Sequence, residues 1–323
     1  MTELKFVDSF SSVRGFNYQP SYGTSGLELW RKFDAITIRE ELGRGKRFFP
    51  GMNAIRLWLS HDAWLRDRSK FEADFDTALS IAGELGLAVM PVLFNRWHST
   101  ELDYGGIYID HFLPRACWVQ AVDQTATFVE TIVGAHATDR RIFCWDICNE
   151  PFAYECHPSD IPEISDAETA WLARMAELIR AANATAPITV GTHPVNGLDD
   201  LKRVEPFCDV LGIHPYLGNV ADVAKFEKLL DEYVAYAAQV GKPLIASECC
   251  WGSVDDTVRV ELIRGTLDNL KPRKIGWLAY ILHHSLIADS HREEFGPLGL
   301  PGNLAFIEAD GSLRPGHGIF NDY

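Results

Sequence analysis

Eight short apolar runs alternate with amphipathic segments along a chain of 323 residues. Most of those runs end in polar or ring-bearing side chains, and no change of composition marks a linker. Together these observations predict an α/β protein, a single (β/α)8 TIM barrel spanning residues 1–323. Regular strand–helix alternation implies right-handed βαβ units around a parallel sheet. Eight such units in this length favour a closed barrel over an open doubly wound sheet. The first βα turn also lacks the Gly-x-Gly-x-x-Gly of dinucleotide-binding folds.

Val13–Tyr18 is the first expected strand, and the spacing of Leu29, Trp30, Phe33, Ile36, Ile38 and Leu42 predicts a helix over about 27–42. Met52–Leu59 is the second strand and carries Arg56 inside an apolar run. Phe71, Phe75, Ala78, Leu79 and Ala82 make one stripe of a helix over 71–85, with Gly86 as its stop. The third strand, Leu87–Phe94, runs into the polar cluster Asn95, Arg96, Trp97, His98 and a long aromatic loop to Pro114. A helix over 116–135 leads to Ile142–Trp145, a strand that ends at Asn149-Glu150-Pro151. Proline disfavours the α region for the residue before it and offers no N–H, so the chain turns at Glu150. The remaining pattern is a helix over 165–184, strands Ile188–Gly191 and Val210–Ile213, and a helix over 223–240. Strand Pro243–Glu248, a helix over 254–270 and strand Ile275–Tyr280 complete it.

Composition bounds the function. A chain 47% hydrophobic and 23% charged can bury a large core. A net charge of −15 disfavours nucleic acid or an anionic membrane as partner. The seven cysteines form no Cys-x-x-Cys, and Cys144, Cys148, Cys208 and Cys249 lie in apolar or strand-like contexts, which points to free thiols in a reducing compartment. The first residues lack the apolar run of a signal peptide, and no later run reaches transmembrane length, so a cytoplasmic protein is expected.

Asn17, His98, Asn149, Glu150, His193, His214, Tyr216, Glu248 and Trp277 fall at or just past the C-terminal ends of expected strands. In a barrel those positions converge on one mouth, where catalytic groups of this fold lie. Arg56, inside strand two, can point up the barrel, and a buried guanidinium needs a carboxylate such as Glu248. Glu150 and Glu248 then face one cleft. Two opposed carboxylates are the minimum machinery for glycoside hydrolysis, one protonated for the leaving oxygen and one ionised. Arg56 beside Glu248 would keep that one charged.

With these residues in place, the sequence resembles the retaining glycoside hydrolases built on (β/α)8 barrels, most closely the cellulase-like glycoside hydrolase family 5. The resemblance covers nearly the whole chain. Asn149-Glu150-Pro151 matches that family's acid/base motif, and Ser247-Glu248 after Leu244-Ile245-Ala246 matches its nucleophile. It implies that Glu150 protonates the leaving group and later activates water, while Glu248 forms the glycosyl-enzyme. Asn149 would bind the sugar 2-hydroxyl, and Tyr216 would donate to Glu248 with His214 close by. Arg56 and His98 fit further active-site positions, and Trp277 would be a stacking floor for the sugar.

Each of these residues also has a plain structural reading. His98 and His193 are alternatively satisfied structural histidines, and Trp277 alternatively barrel core. Trp58, Trp145 and Trp171 read as packing residues. His283-His284, with Asp289 and His291 downstream, lacks a second ligand spacing, so no metal is expected. Cys249-Cys250 has no base partner, and packing is its default. No cofactor is expected.

The loops after strands three, four and eight carry Tyr104, Tyr108, Tyr154, His157, His284 and Phe295, which suit a carbohydrate substrate. The expected reaction is hydrolysis of β-linked mannose- or glucose-containing oligosaccharides, with an exo-acting β-mannosidase or β-glucosidase ahead of an endo-acting mannanase or glucanase. A transglycosylase using the same two glutamates is one alternative. A non-catalytic carbohydrate-binding barrel is the other, and a substitution at either glutamate would favour it; both are intact.

Overall fold

Each apolar run of the sequence becomes a strand: β1 Arg14–Tyr18, β2 Ala54–Trp58, β3 Ala88–Asn95, β4 Trp145–Asn149, β5 Ile188–Thr192, β6 Leu211–Ile213, β7 Leu244–Cys249 and β8 Gly276–Ala279. The computed structural model describes residues 7–96, 106–113, 123–154, 156–288 and 303–323. The strands close into a barrel in the order β1 to β8, with every neighbouring pair parallel, including β8 on β1. Helices follow the strands and cover the outside, as the βαβ pattern requires.

Strand residues alternate between two environments because successive Cβ atoms point to opposite faces. On β2, Ile55 and Leu57 join the large apolar layer between barrel and helices. Ala54, Arg56 and Trp58 take the other phase, into the barrel, and read small, charged and aromatic from bottom to mouth. The bottom is closed by Ala54, Ala88, Met90, Cys144, Ile245 and Leu278, all buried. Closing that end with apolar volume keeps water from reaching the charged layer from below.

The helix expected over 27–42 is two helices, Gly26–Arg31 and Ala35–Phe48. The break has a local cause. Asp34 accepts from the backbone N–H groups of Ile36 and Thr37 and so starts a new helix. Ile36, expected on the apolar stripe, is exposed in that first turn. The helix expected at 165 starts earlier, with Pro162 in its first turn, and runs to Ala181. The helix expected over 116–135 is seen as Asp123–Ala135; residues 114–122 lie outside the described set. The short helices His61–Arg66 and Leu198–Val204 have too few residues for a readable period. Among the described residues, no helix is long and apolar enough to cross a membrane.

Candidate active site

The mouth is organised around Arg56. Its side chain is fully buried and reaches four partners. Nε and Nη2 meet Asp146 Oδ2 at 2.9 and 2.8 Å. Nη1 donates to Glu248 Oε1 at 2.5 Å and to Asn17 Oδ1 at 3.1 Å, and Nη2 donates to Asn149 Oδ1 at 2.8 Å. A guanidinium offers five donors in a rigid fork, which is why one arginine can hold side chains from β1, β4 and β7 at once. Burial pulls the Arg56 pKa down, but Asp146 and Glu248 overcome it, and the net shift is upward.

Glu248 accepts from both sides, from Arg56 on Oε1 and from the Tyr216 hydroxyl on Oε2 at 2.6 Å. Burial first, then Glu248 and Glu150, push the Tyr216 phenol well up, so it stays a donor. Glu150 faces Glu248 across the mouth, with Oε1 2.7 Å from His214 Nδ1. The same nitrogen lies 3.6 Å from Glu248 Oε2, so the imidazole sits between the two carboxylates. Asn149 turns its amide oxygen to Arg56 and donates from Nδ2 to Asn95 Oδ1 at 3.0 Å. Arg56 has only donors, so this orientation of the amide is forced.

Neither glutamate sits on regular strand geometry. The register of β4 against β5 shifts between Asp146 and Asn149, and that of β7 against β8 shifts between Ala246 and Cys249. Bulges re-aim side chains and recur beside active sites. Without the β4 shift, Asp146 and Asn149, three residues apart, would face opposite sides of the sheet; with it, both reach Arg56. Glu150 itself has φ 48°, a left-handed conformation that a residue with a long side chain adopts at a cost. The absence of a side chain at Gly191 makes room on the β5 side: a Cβ there would lie 2.5 Å from His214 Nε2 and 3.1 Å from Arg56 Nη2.

Of the sequence-predicted residues, Arg56, Asn149, Glu150, His214, Tyr216 and Glu248 meet in this cluster. His98 lies outside the described residues, as do Tyr104, Asp289, His291 and Phe295. Trp277 is a correction. It is fully buried in the outward-facing layer, with the Arg14 guanidinium 3.6 Å over its ring and Tyr323 beside it. It pairs with Arg14, the first residue of β1, so it stands near the bottom of the barrel and in the wrong phase for the mouth. Leu278 takes the inward phase on β8, and Tyr280, two residues on, reaches the mouth, where its ring meets Trp58 edge-on at 5.9 Å. Arg259 donates to the Tyr280 and Leu304 carbonyls and holds that corner; burial lowers its pKa to about 10.

Trp58, read as packing, is buried in an apolar cluster with Tyr280, against which Tyr216 and Trp251 pack, and the Arg56 guanidinium lies 4.6 Å from its ring centre. Tyr154 does not line the mouth; its hydroxyl is buried against Glu168. His193 caps a short turn by accepting from the Val195 N–H, and His283 is buried beside Glu41 and Arg44. Asp146 was missed. An acid and a base each inside an apolar strand have to pair, and that signal was available in Asp146 and Arg56. Burial pushes the Asp146 carboxyl up, against the opposing pull of Arg56 and then His214.

Ligand atoms of Glu150, His214 and Glu248 lie within 4.8 Å of one another, close enough for a cation. Both Glu248 oxygens already accept from Arg56 and Tyr216, and a Glu150 oxygen already faces His214. The donor set is thus accounted for by hydrogen bonds. Asp76, His136 and Asp139 form the other such group among the described residues, and Arg141 pairs with both of its aspartates.

Comparisons with known proteins agree with this architecture. An exo-beta-1,4-mannosidase from Opitutaceae bacterium strain TAV5 superposes with a TM-score of 0.72 at 19% identity, over 95% of this chain and 58% of its own. The chain thus spans less than two thirds of that relative. GH5_18 from Streptomyces cattleya, solved with GlcNAc, has a TM-score of 0.72 at 15% identity, over 97% of this chain and 80% of its own. An endo-1,4-beta-D-mannanase from Thermotoga petrophila RKU-1 has a TM-score of 0.67 at 15% identity, over 96% and 98%. These likenesses show the fold. No curated protein sequence matches the chain. The family model for cellulase (glycosyl hydrolase family 5) matches residues 49–285, well over half the chain. The chain belongs to glycosyl hydrolase family 5 and is an enzyme, a glycoside hydrolase acting on O-glycosyl bonds.

Proposed function

We propose that the enzyme is a retaining β-glycoside hydrolase in which Glu248 is the nucleophile and Glu150 the acid and base. The observation that carries this reading is the separation of the two carboxylates, which bring oxygens within 4.8 Å of each other. Retaining enzymes hold their carboxyl groups about 5–5.5 Å apart, whereas inverting ones leave about 6.5–9.5 Å for a water. The environments support the division of roles. Glu248 accepts from Arg56 and Tyr216, donors that bind the charged form, while Glu150 lies against the imidazole of His214.

In the first step Glu150 gives its proton to the leaving oxygen as Glu248 bonds to the anomeric carbon. In the second, Glu150 takes a proton from water, which attacks that carbon and frees Glu248. Asn149 keeps one Nδ2 hydrogen on Asn95 and has the second for the sugar 2-hydroxyl, a contact that strengthens in the transition state. Trp58, Trp251 and Tyr280 offer ring faces or edges to the C–H surfaces of a sugar. The substrate class is β-linked mannose- or glucose-containing oligosaccharide, cut from one end. The fold is shared with an exo-beta-1,4-mannosidase and with an endo-1,4-beta-D-mannanase alike, and the viscosity measurement below separates the two modes.

Two measurements test this. NMR of the first-formed product should show the β-anomer, and an initial α-anomer would overturn the double displacement. Aryl β-mannosides, β-glucosides and short oligosaccharides should be cleaved without loss of viscosity of polymeric mannan or glucan; a rapid viscosity drop would make the enzyme endo-acting.

A further inference from the structure

Glu168 lies on the helix Pro162–Ala181, on the outer side of β4, and is fully buried. Two side chains converge on its carboxyl group. Arg96 Nε donates to one oxygen at 3.1 Å, and the Tyr154 hydroxyl donates to the other. Phe152 and Tyr154 belong to the segment that leaves β4 immediately after Glu150 and Pro151. Arg96 directly follows Asn95, and its backbone N–H donates to the Asn149 carbonyl at 3.0 Å. One buried anion therefore ties the exit of β3 to the exit of β4, on both sides of Asn149-Glu150.

The segment so held is strained. Glu150 has φ 48° and Phe152 φ 64°, two left-handed residues flanking a proline. Such conformations persist only where the surroundings over-determine them. A second grip comes from Asn196, whose Nδ2 donates to the Phe152 carbonyl at 3.3 Å while also donating to Asp200 at 2.9 Å. Phe152 is thus held through its C=O, and Tyr154, two residues on, through its hydroxyl. Glu168 is linked to the Arg56 cluster through Arg96, whose backbone N–H meets Asn149, and through the turn that follows Glu150, so its effect on catalysis passes through Asn149 and Glu150.

We propose that Glu168 is a positioning residue for Glu150: its carboxylate holds the left-handed turn that aims the acid/base carboxylate at the leaving-group oxygen. The inference rests on the assignment of Glu150 as acid and base. A positioning role has a signature that a merely structural role lacks. Protonation of the leaving oxygen matters for poor leaving groups and little for good ones. Misaiming Glu150 therefore costs rate in proportion to leaving-group basicity, whereas loosening the fold lowers all rates together.

The test uses the full-length enzyme and a series of aryl β-glycosides from dinitrophenyl to phenyl, comparing wild type, Glu168→Gln and Glu150→Ala. Glu168→Gln is expected to lose about 10–100-fold in kcat on the phenyl glycoside. On the dinitrophenyl glycoside it should lose less than about threefold, with little change in KM. Tyr154→Phe removes one donor and leaves the charge pair with Arg96, so it serves if Glu168→Gln does not fold; it should show the same slope, smaller. Equal losses across the series in whichever of these variants folds would overturn the proposal while leaving Glu150 as acid/base, provided Glu150→Ala is steeply dependent on the leaving group. A flat Glu150→Ala series would overturn the acid/base assignment itself and the positioning role with it.

Discussion

The two ends of the barrel are built from the same eight strands and could hardly differ more. At the bottom the inward phase holds Ala54, Ala88, Met90, Ile245 and Leu278, with no charge among them. Two residues further up β2 and β4 the same phase holds Arg56 and Asp146, and the strand ends add Asn149, Glu150, His214 and Glu248. Strand β8 and the residue after it show the contrast over four positions: Trp277 is outward and packed under Arg14, whereas Tyr280 reaches the mouth. The comparison teaches that polarity in a barrel is set by height and phase together. Height alone is what the position of a residue near a strand end reveals.

The largest effect should come from Glu248, the proposed nucleophile. Glu248→Gln is expected to lower turnover by at least about 10⁴-fold with an unchanged circular dichroism spectrum. Activity within a few-fold of wild type would remove Glu248 from the chemistry and the mouth from its role. Next in size is the charged layer itself. Arg56→Met leaves Asp146 and Glu248 buried without their shared cation and should cost about 3–5 kcal/mol in chemical denaturation. If instead stability held, the mouth would be hydrated enough to behave like surface, and its contrast with the bottom would fail.

A third prediction sharpens the comparison with a carboxylate outside the barrel. Asp146 has Arg56 against it; Asp200 is equally buried, but its hydrogen-bond partner is the amide of Asn196, and its Oδ1 has none. Burial pushes Asp200 up to about 7. At this site the folded protein therefore binds more proton than the unfolded chain between about pH 4 and 7, and the contribution of Asp200 to stability falls as pH rises through that window. Asp200→Asn should flatten this fall and gain about 1–3 kcal/mol at pH 8 relative to pH 5. Parallel pH–stability curves for the two proteins would contradict it.

The smallest effect is a predicted near-absence. Trp277→Phe should leave kcat and KM within about twofold and cost about 1–2 kcal/mol of stability from lost packing. A loss of sugar binding in that variant would return Trp277 to the mouth and sink the assignment of Tyr280 to its place.

Much of this was legible beforehand, for identifiable reasons. A strand buried on both faces has to be apolar, so Leu87–Phe94 or Ile188–Val190 declares itself without knowledge of its neighbours. Asn149-Glu150-Pro151 announces a strand end because proline and a buried carboxylate are both incompatible with continuing it. Helix ends were less legible where one side chain decides them, as Asp34 does by capping a new helix inside an apparently continuous stripe.

What the sequence determined by itself, then, is the fold class and that Arg56, Asn149, Glu150, His214, Tyr216 and Glu248 come to one end, though it set Trp277 among them and left out Asp146. Both follow from local rules: period, proline, and the cost of burying charge. Tertiary structure decided which of those groups face one another. The bulges in β4 and β7 shift the side-chain phase by one residue, and no local pattern of apolar residues reports them. They turn Asp146 and Asn149 toward one guanidinium and bring Glu150 and Glu248 to face each other across the mouth. The phase of β8 was settled in the same way, by the pairing of Trp277 with Arg14 and Ala246 around the closed sheet. Register is a property of strand pairs, so it exists only once the chain has closed on itself.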